Sequence, residues 1–303
     1  MIEICNLLKR YKGQTALDNI SFSIPKGCIF GFLGPNGAGK TTLIRIIAGL
    51  LVQDAGCVLF DEQPLNRLNR KRIGYLPEER GLYKNMKIGE QIIYLAVFKG
   101  LTKQDAEKKL RQWFDKLEIA DWWNKKPDEL SKGMQQKVQF IVSVIHQPDI
   151  LILDEPLSGL DPINRETLGK EIVEFNQSGK TVILSTHDMN SVEQFCDEVM
   201  LINKGKLLLS GKVYETKQNK QSYIYEFQFK QNNEFFSKQC DAVNGYIISN
   251  KKGNYKVQLK NEEDVERILS NILIQKGLTS FSEIHPSMND IFIDYVTNAN
   301  QLL

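Results

Sequence analysis

Residues 34–42 read Gly-Pro-Asn-Gly-Ala-Gly-Lys-Thr-Thr, a spacing suited to cradling a chain of phosphates. Gly34, Gly37 and Gly39 let backbone N–H groups converge on phosphate oxygens, and Pro35, Asn36 and Ala38 complete the loop. A helix starting at Lys40 adds the partial positive charge of its N-terminus. Lys40 is then placed to reach the β- and γ-phosphates, the Thr41 hydroxyl to bind Mg²⁺, and Thr42 to meet a neighbouring phosphate. A second cluster, Asp154-Glu155, closes the apolar run Ile150–Leu153. Side chains alternate along a strand, so the two carboxylates are expected to point in different directions. Asp154 is assigned to the metal ion and its waters, and Glu155 to an attacking water. A glycine-rich surface turn and a solvated strand end are the plainer readings. Both clusters on one chain favour the chemical one.

These residues need elements that bring them together. Cys28–Leu33 is a short apolar run, read as a buried strand leading into the loop, and a helix is predicted from about Lys40 to Gly49. Ile2–Lys9, Ala16–Ile24, Val58–Phe60 and Ile73–Leu76 read as further strands. Ile88–Leu117 has helical periodicity and divides at Gly100-Leu101-Thr102, with Thr102 as N-cap of the second helix. A third helix is predicted from near Ser131 to before Pro148. Strand and helix then alternate: Ile150–Leu153, Pro162–Gln177, Thr181–Ser185 and Met189–Phe195. Pro162 suits a first helical turn, where its missing N–H costs nothing. The alternation predicts an α/β fold with a mainly parallel sheet, and the glycine loop between strand and helix matches the motif of a P-loop NTPase core.

Composition shifts after about residue 216. Lys217–Ser222 is polar and reads as a linker, which sets domains at 1–220 and 221–303. Beyond it the predicted order is β-α-β-β-α-β, over Tyr223–Phe229, Glu234–Cys240, Gly245–Ser249, Tyr255–Lys260, Glu262–Gln275 and Thr279–Ile284. A helix follows at Met288–Thr297. That order is similar to the split βαβ, ferredoxin-like unit, an accessory α+β domain. No internal repeat is visible.

The bulk numbers narrow the function classes. The chain has 303 residues, 42% hydrophobic and 25% charged, ordinary for a globular protein with a core. A net charge of +2 supplies no basic field for nucleic acid. No apolar run approaches the ~20 residues needed to span a bilayer, and Met1-Ile-Glu-Ile is unlike a signal peptide. The five dispersed cysteines fit a reducing cytosol better than a disulfide framework or a zinc site. The expected location is therefore cytoplasmic, with any link to a membrane made through a partner.

Further motifs carry a family resemblance. Leu130-Ser131-Lys132-Gly133-Met134-Gln135 resembles the LSGGQ signature of ATP-binding cassette (ABC) proteins, Ser158-Gly159-Leu160-Asp161 their D-loop, and Ser185-Thr186-His187-Asp188 their switch histidine. Tyr11, ahead of Thr15-Ala-Leu-Asp, resembles their adenine-stacking aromatic. All occur in the family's order over about residues 1–215. Gly74–Tyr83 and Ile284–Phe292 are similar to segments of the bacterial sodium- or drug-exporter group.

The resemblance implies an ABC-type core with a helical subdomain at about 82–147 and an antiparallel β part. It implies an ATPase subunit that powers a separate transmembrane permease, with ATP and Mg²⁺ bound. Two such subunits, identical or related, pair head to tail, so that each ATP lies between one P-loop and the Ser131 and Gly133 of the other copy. His187 is expected at the γ-phosphate, and the stretch from Leu82 to Pro127 to dock the permease. Three positions depart from the family. Glu78 stands where a glutamine ligates the metal; a carboxylate either serves that purpose as a hard ligand or shifts the charge balance around the γ-phosphate. Lys132 and Met134 replace Gly and Gln in the signature. The three tryptophans, Trp113, Trp122 and Trp123, read as core or interface aromatics. A cassette ATPase acting on ribosomes or DNA is the main alternative, and a P-loop phosphotransferase the second.

Overall fold

The computed structural model describes residues 1–64, 66, 70–79, 81–219, 223–275 and 277–301, with only the backbone at 274, 275, 300 and 301. The expected linker residues 220–222, and with them the domain boundary read from the sequence, lie outside these residues, as does Arg80. The chain divides into two compact units, one of Met1–Val213 with the chain end from Tyr295, the other of Tyr214–Asp294.

In the first unit, β1 (Ile2–Tyr11) and β2 (Gln14–Ile24) form a hairpin that precedes β3 (Ile29–Leu33) and α1 (Lys40–Ile47). β4 (Ala55–Phe60) and β5 (Gln63–Pro64) return to that hairpin and complete an antiparallel sheet, β2-β1-β4-β5. β6 (Ile73–Leu76) is followed by α2 (Ile88–Phe98), α3 (Lys103–Lys116) and α4 (Lys132–Val144). Next come β7 (Ile150–Asp154), α5 (Pro162–Gln177), β8 (Thr181–Ser185), α6 (Met189–Phe195), β9 (Glu198–Asn203) and β10 (Lys206–Lys212).

The central sheet runs β10-β9-β3-β8-β7-β6, parallel except for β10. Every residue of β3, β7 and β8 is buried. Parallel strands covered on both faces need such unbroken apolar runs, which is why periodicity alone marks them only as short apolar segments. The β9–β10 hairpin has no counterpart among the expected strands. Its turn places Lys204 at φ 47° and Gly205 at φ 76°, the two left-handed residues of a tight hairpin.

One apolar core joins the two sheets. Phe22 of β2 stacks on Phe30 of β3 and meets Phe32 edge-on, both at under 6 Å between ring centroids. A second core holds the helical stretch together, where Trp113 packs on Phe140 and Trp123 on Phe114. Thr102 caps α3 by accepting a bond from Asp105 N–H, as its spacing predicts. Lys116 of α3 reaches α5, bonding Glu171 at 2.5 Å and Glu174 at 2.6 Å.

A three-way clasp fixes the starts of adjacent central strands. Asp149 accepts from Arg72 Nε and from Lys180 Nζ, each at 2.7 Å, and the three residues immediately precede β7, β6 and β8.

The second unit begins in α7 (Val213–Gln218), so the expected linker is helical at Lys217 and Gln218. It continues with β11 (Ile224–Phe229), α8 (Glu234–Ala242), β12 (Tyr246–Lys251), β13 (Asn254–Gln258), α9 (Glu262–Gln275) and β14 (Leu278–Glu283), and α10 (Met288–Gln301) follows. The sheet order β12-β13-β11-β14, antiparallel throughout, is the split βαβ arrangement. Its core is aromatic, with Phe227, Phe229, Phe236 and Tyr255 in mutual contact.

Candidate functional site

The loop between β3 and α1 is shaped by close backbone approach. At Gly34, φ 154°, an added Cβ would lie 2.3 Å from Ile202 O; at Gly39, φ 113°, it would lie 2.5 Å from Ala16 O. No other residue type fits either position. Gly39 is the N-cap of α1 and offers no side-chain cap, and the first turn carries no acid. The opening N–H groups of α1 thus have no anionic side chain of their own, the arrangement of an anion site.

Lys40, the first residue of α1, is buried and folds back over the loop, donating to Gly34 O at 2.7 Å and Pro35 O at 3.2 Å. Burial pulls its ammonium below the ordinary lysine range, and the nearby Glu155, Asp154 and Glu78 oppose that shift. Asn36, Gly37, Ala38, Thr41 and Thr42 line the same pocket.

The central sheet delivers the acids. Asp154 ends β7, is 1% exposed, and faces Ser185 of β8 in register. Ser185 Oγ donates to Asp154 Oδ1 at 2.7 Å, while Oδ2 is buried with no protein partner. A buried carboxylate oxygen without a donor calls for a cation. Among the described residues no cluster of three or more metal-ligating side chains exists. That fits Mg²⁺, which takes one or two carboxylates and completes its shell with phosphate and water oxygens. Thr41 and Glu78 line the same pocket as Asp154.

Glu155 lies just past the strand, at φ 51°. The turn in the chain, rather than strand alternation, separates its side chain from that of Asp154. Glu155 N donates to Ser185 O at 3.1 Å, which ties the turn to the end of β8. Its side chain is 11% exposed, and Oε1 accepts from His187 Nδ1 at 2.9 Å. Burial raises the Glu155 carboxyl above its ordinary range, with His187 and Lys40 pulling it back. The arrangement can hold a polarising carboxylate beside a phosphate cradle.

Tyr11 ends β1 at the pocket rim, 49% exposed, with the Lys9 ammonium 5.7 Å from its ring centroid. Gln14, Ala16, Ser158 and Ser185 also line the pocket and were not anticipated as site residues. Ser158 and Ser185 sit within quoted motifs, so that signal was present; Gln14 and Ala16 follow Tyr11 across a hairpin turn, which propensity alone does not mark as a site.

Ser131 and Gly133 are absent from this pocket. Ser131 is exposed as the N-cap of α4, its hydroxyl accepting from Met134 N–H at 3.3 Å. Met134 Sδ accepts in return from Ser131 N–H, a weak substitute for an amide or carboxylate oxygen. Gly133 is buried, and a Cβ there would meet the Asn164 side chain at 3.0 Å. Lys132 is exposed.

Comparison with known proteins agrees with this geometry. The family profile described as ABC transporter matches residues 17–158, and one described as the DrrA1-3-like ATP-binding protein C-terminal domain matches residues 211–296. A profile described as an AAA domain, putative AbiEii toxin, matches residues 126–193. YhaQ of Bacillus subtilis, an ABC transporter ATP-binding protein, is 39% identical over 98% of both chains. The lantibiotic transport ATP-binding protein SrtF of Streptococcus pyogenes is 33% identical over 72% of this chain and 93% of its own. A solved dimeric ATP-binding cassette in a post-hydrolysis state with ADP and Pi is 26% identical, with a TM-score of 0.64, covering 70% of this chain and 98% of that one. A glycine loop shaped for phosphate, an acid pair at the end of a buried strand and full-length similarity thus converge, and the chain belongs to the ABC transporter ATP-binding proteins, the ATPase subunits of those transporters.

Proposed function

We propose that this chain hydrolyses MgATP in the pocket of Lys40 and Glu155, as one of two paired ATPase subunits that drive export through a separate transmembrane permease. The observation that carries the reading is the Glu155 carboxylate, half-buried, held by His187 and lining one pocket with the Lys40 loop. Phosphoryl transfer needs mainly positioning and charge stabilisation, and these residues supply both. The backbone of residues 34–42 and Lys40 hold the phosphates, and Tyr11 offers a flat face to the adenine. Glu155 polarises the attacking water. His187, with Nδ1 committed to Glu155, presents Nε2 to the γ-phosphate. Mg²⁺, held by Thr41 and Asp154 with Glu78 beside them, would neutralise charge on the β- and γ-phosphate oxygens.

The exposed Ser131 at the N-terminus of α4 supports a composite site, in which the helix of one copy caps the ATP of the other. ADP lacks the bridging γ-phosphate, so hydrolysis weakens the pairing. The partner copy is a second chain of this kind or a related ATPase subunit. Tyr94 and Phe98 of α2, 56% and 80% exposed, support docking of the permease on the helical stretch. Export is favoured by similarity to a lantibiotic transport protein. No described helix is long and apolar enough to cross a membrane, in keeping with a chain held at the inner membrane face by its permease. A net charge of +2 gives no support to nucleic acid as a partner.

Glu155→Gln tests the reading. Hydrolysis is expected to fall ~10²–10⁴-fold, the range for a lost general base, while ATP binding persists. Unchanged turnover in that variant removes Glu155 from the role.

A further inference from the structure

Two cysteines face each other across neighbouring strands, away from the nucleotide chemistry. In the antiparallel pairing of β1 with β4, Cys5 is the register partner of Cys57. The flanking pair, Ile4 and Val58, is buried, so strand alternation puts both thiols on the opposite face, where each is half-buried. Directly opposed residues in such a pair have Cα atoms ~4.5–5.5 Å apart. A disulfide accepts Cα separations of ~4.4–6.8 Å. Cys57 is near enough to raise the Cys5 thiol.

The backbone beside the pair can adjust. The register shifts between Cys5 and Leu8, with Asn6 at φ 48° and Gly56 at φ 81°. Such a bulge leaves local freedom on one side of the pair, while the regular ladder from Cys5 back to Ile2 stays intact.

We propose that Cys5 and Cys57 form a reversible thiol–disulfide site that exchanges with low-molecular-weight disulfides. One protein thiol loses its proton to solvent, and its thiolate attacks a sulfur of the small disulfide. A mixed disulfide forms and one small thiolate leaves. The second protein thiolate then attacks the protein sulfur, forming the Cys5–Cys57 bond and expelling the second small thiolate. Two protein thiols are oxidised and one small disulfide is reduced to two thiols. Excess thiol reverses both steps.

Selectivity follows from burial. Cys28, Cys196 and Cys240 are buried, and their thiols are pushed up to about 12 by desolvation, which keeps them out of the exchange. Burial and Cys57 also raise the Cys5 thiol, and exchange quickens with rising pH as thiolate forms. The bond would close a loop of about fifty residues that contains the whole phosphate loop and α1. This site stands on strand register alone, independent of the assignment of Glu155 or the permease.

The experiment uses the full chain incubated with oxidised glutathione and digested with trypsin without reduction. The expected product joins peptide Met1–Lys9 to Ile46–Arg67, two hydrogens lighter than the separate peptides. The melting temperature rises by about 5–10 °C and returns with reduced glutathione. Cys57→Ser and Cys5→Ala each lose the linked peptide and the shift, yet melt as the reduced wild type does. Separate glutathione adducts on the two cysteines, or links to Cys28, Cys196, Cys240 or a second chain in place of the Cys5–Cys57 bond, would each overturn the proposal.

Discussion

His187 Nδ1 sits 2.9 Å from Glu155 Oε1, a contact that joins the segments just past the ends of β7 and β8. Its protonation consequence has a sign. Burial raises the Glu155 carboxyl, and the His187 contact lowers it. Catalysis needs the carboxylate, so hydrolysis fades as pH falls through that raised value. His187→Ala removes a lowering partner, and the acid limb of the kcat/KM profile moves to higher pH. Initial rates between pH 5 and 9 give the check. An acid limb that stays in place, or moves down, would show that His187 does not set the Glu155 charge.

Asp154 Oδ2 is the buried oxygen without a partner. Asp154→Ala is expected to raise the Mg²⁺ concentration needed for half-maximal hydrolysis by about tenfold or more, the scale of losing one charged ligand worth 1.4 kcal/mol or above. Nucleotide binding measured in a metal chelator should change little. Equal losses with and without metal would assign Asp154 to the loop's folding instead.

Two glycines of one loop should respond differently. Gly39→Ala meets Ala16 O and carries φ 113°, so a loss of about 2–3 kcal/mol and of ATP affinity is expected. Gly37 has φ 77° but nothing within 4 Å of an added Cβ, so Gly37→Ala costs only the strain of about 1–2 kcal/mol. Thermal melts rank the pair. The reverse order would show that crowding against Ala16 does not shape the loop.

Head-to-tail pairing predicts rescue between dead copies. Lys40→Ala and Ser131→Arg should each abolish turnover alone. Mixed dimers retain one intact composite site, so roughly a quarter of all sites survive random mixing, and activity reappears. A mixture as inactive as its components would mean that each site belongs to a single copy.

The glycine loop between β3 and α1 was legible because its geometry is local: glycine spacing, a strand before and a helix after. The β-α-β-β-α-β order of the second unit was legible because alternation and turn residues suffice. What escaped depended on contacts between distant segments. Strand alternation would separate Asp154 from Glu155, but the left-handed turn at Glu155 does so, and it is secured by Ser185 on another strand. Gly133 is a signature glycine by spacing, yet its place against Asn164 comes from how α4 packs beside α5. The β9–β10 hairpin was missed although Lys204-Gly205 is the kind of dipeptide that turns one.

The clasp of Arg72, Asp149 and Lys180 lies at one rim of the central sheet, and Asp154 with Ser185 lies at the other, five residues or about 16 Å along the strands. Strands are stiff along their length, so alignment set at the near rim is inherited at the far one. A slip of one position would carry the serine hydroxyl away from the acid and turn the histidine out of line. Substitutions at Asp149 would therefore masquerade as catalytic lesions in a genetic screen, although that residue never meets a nucleotide.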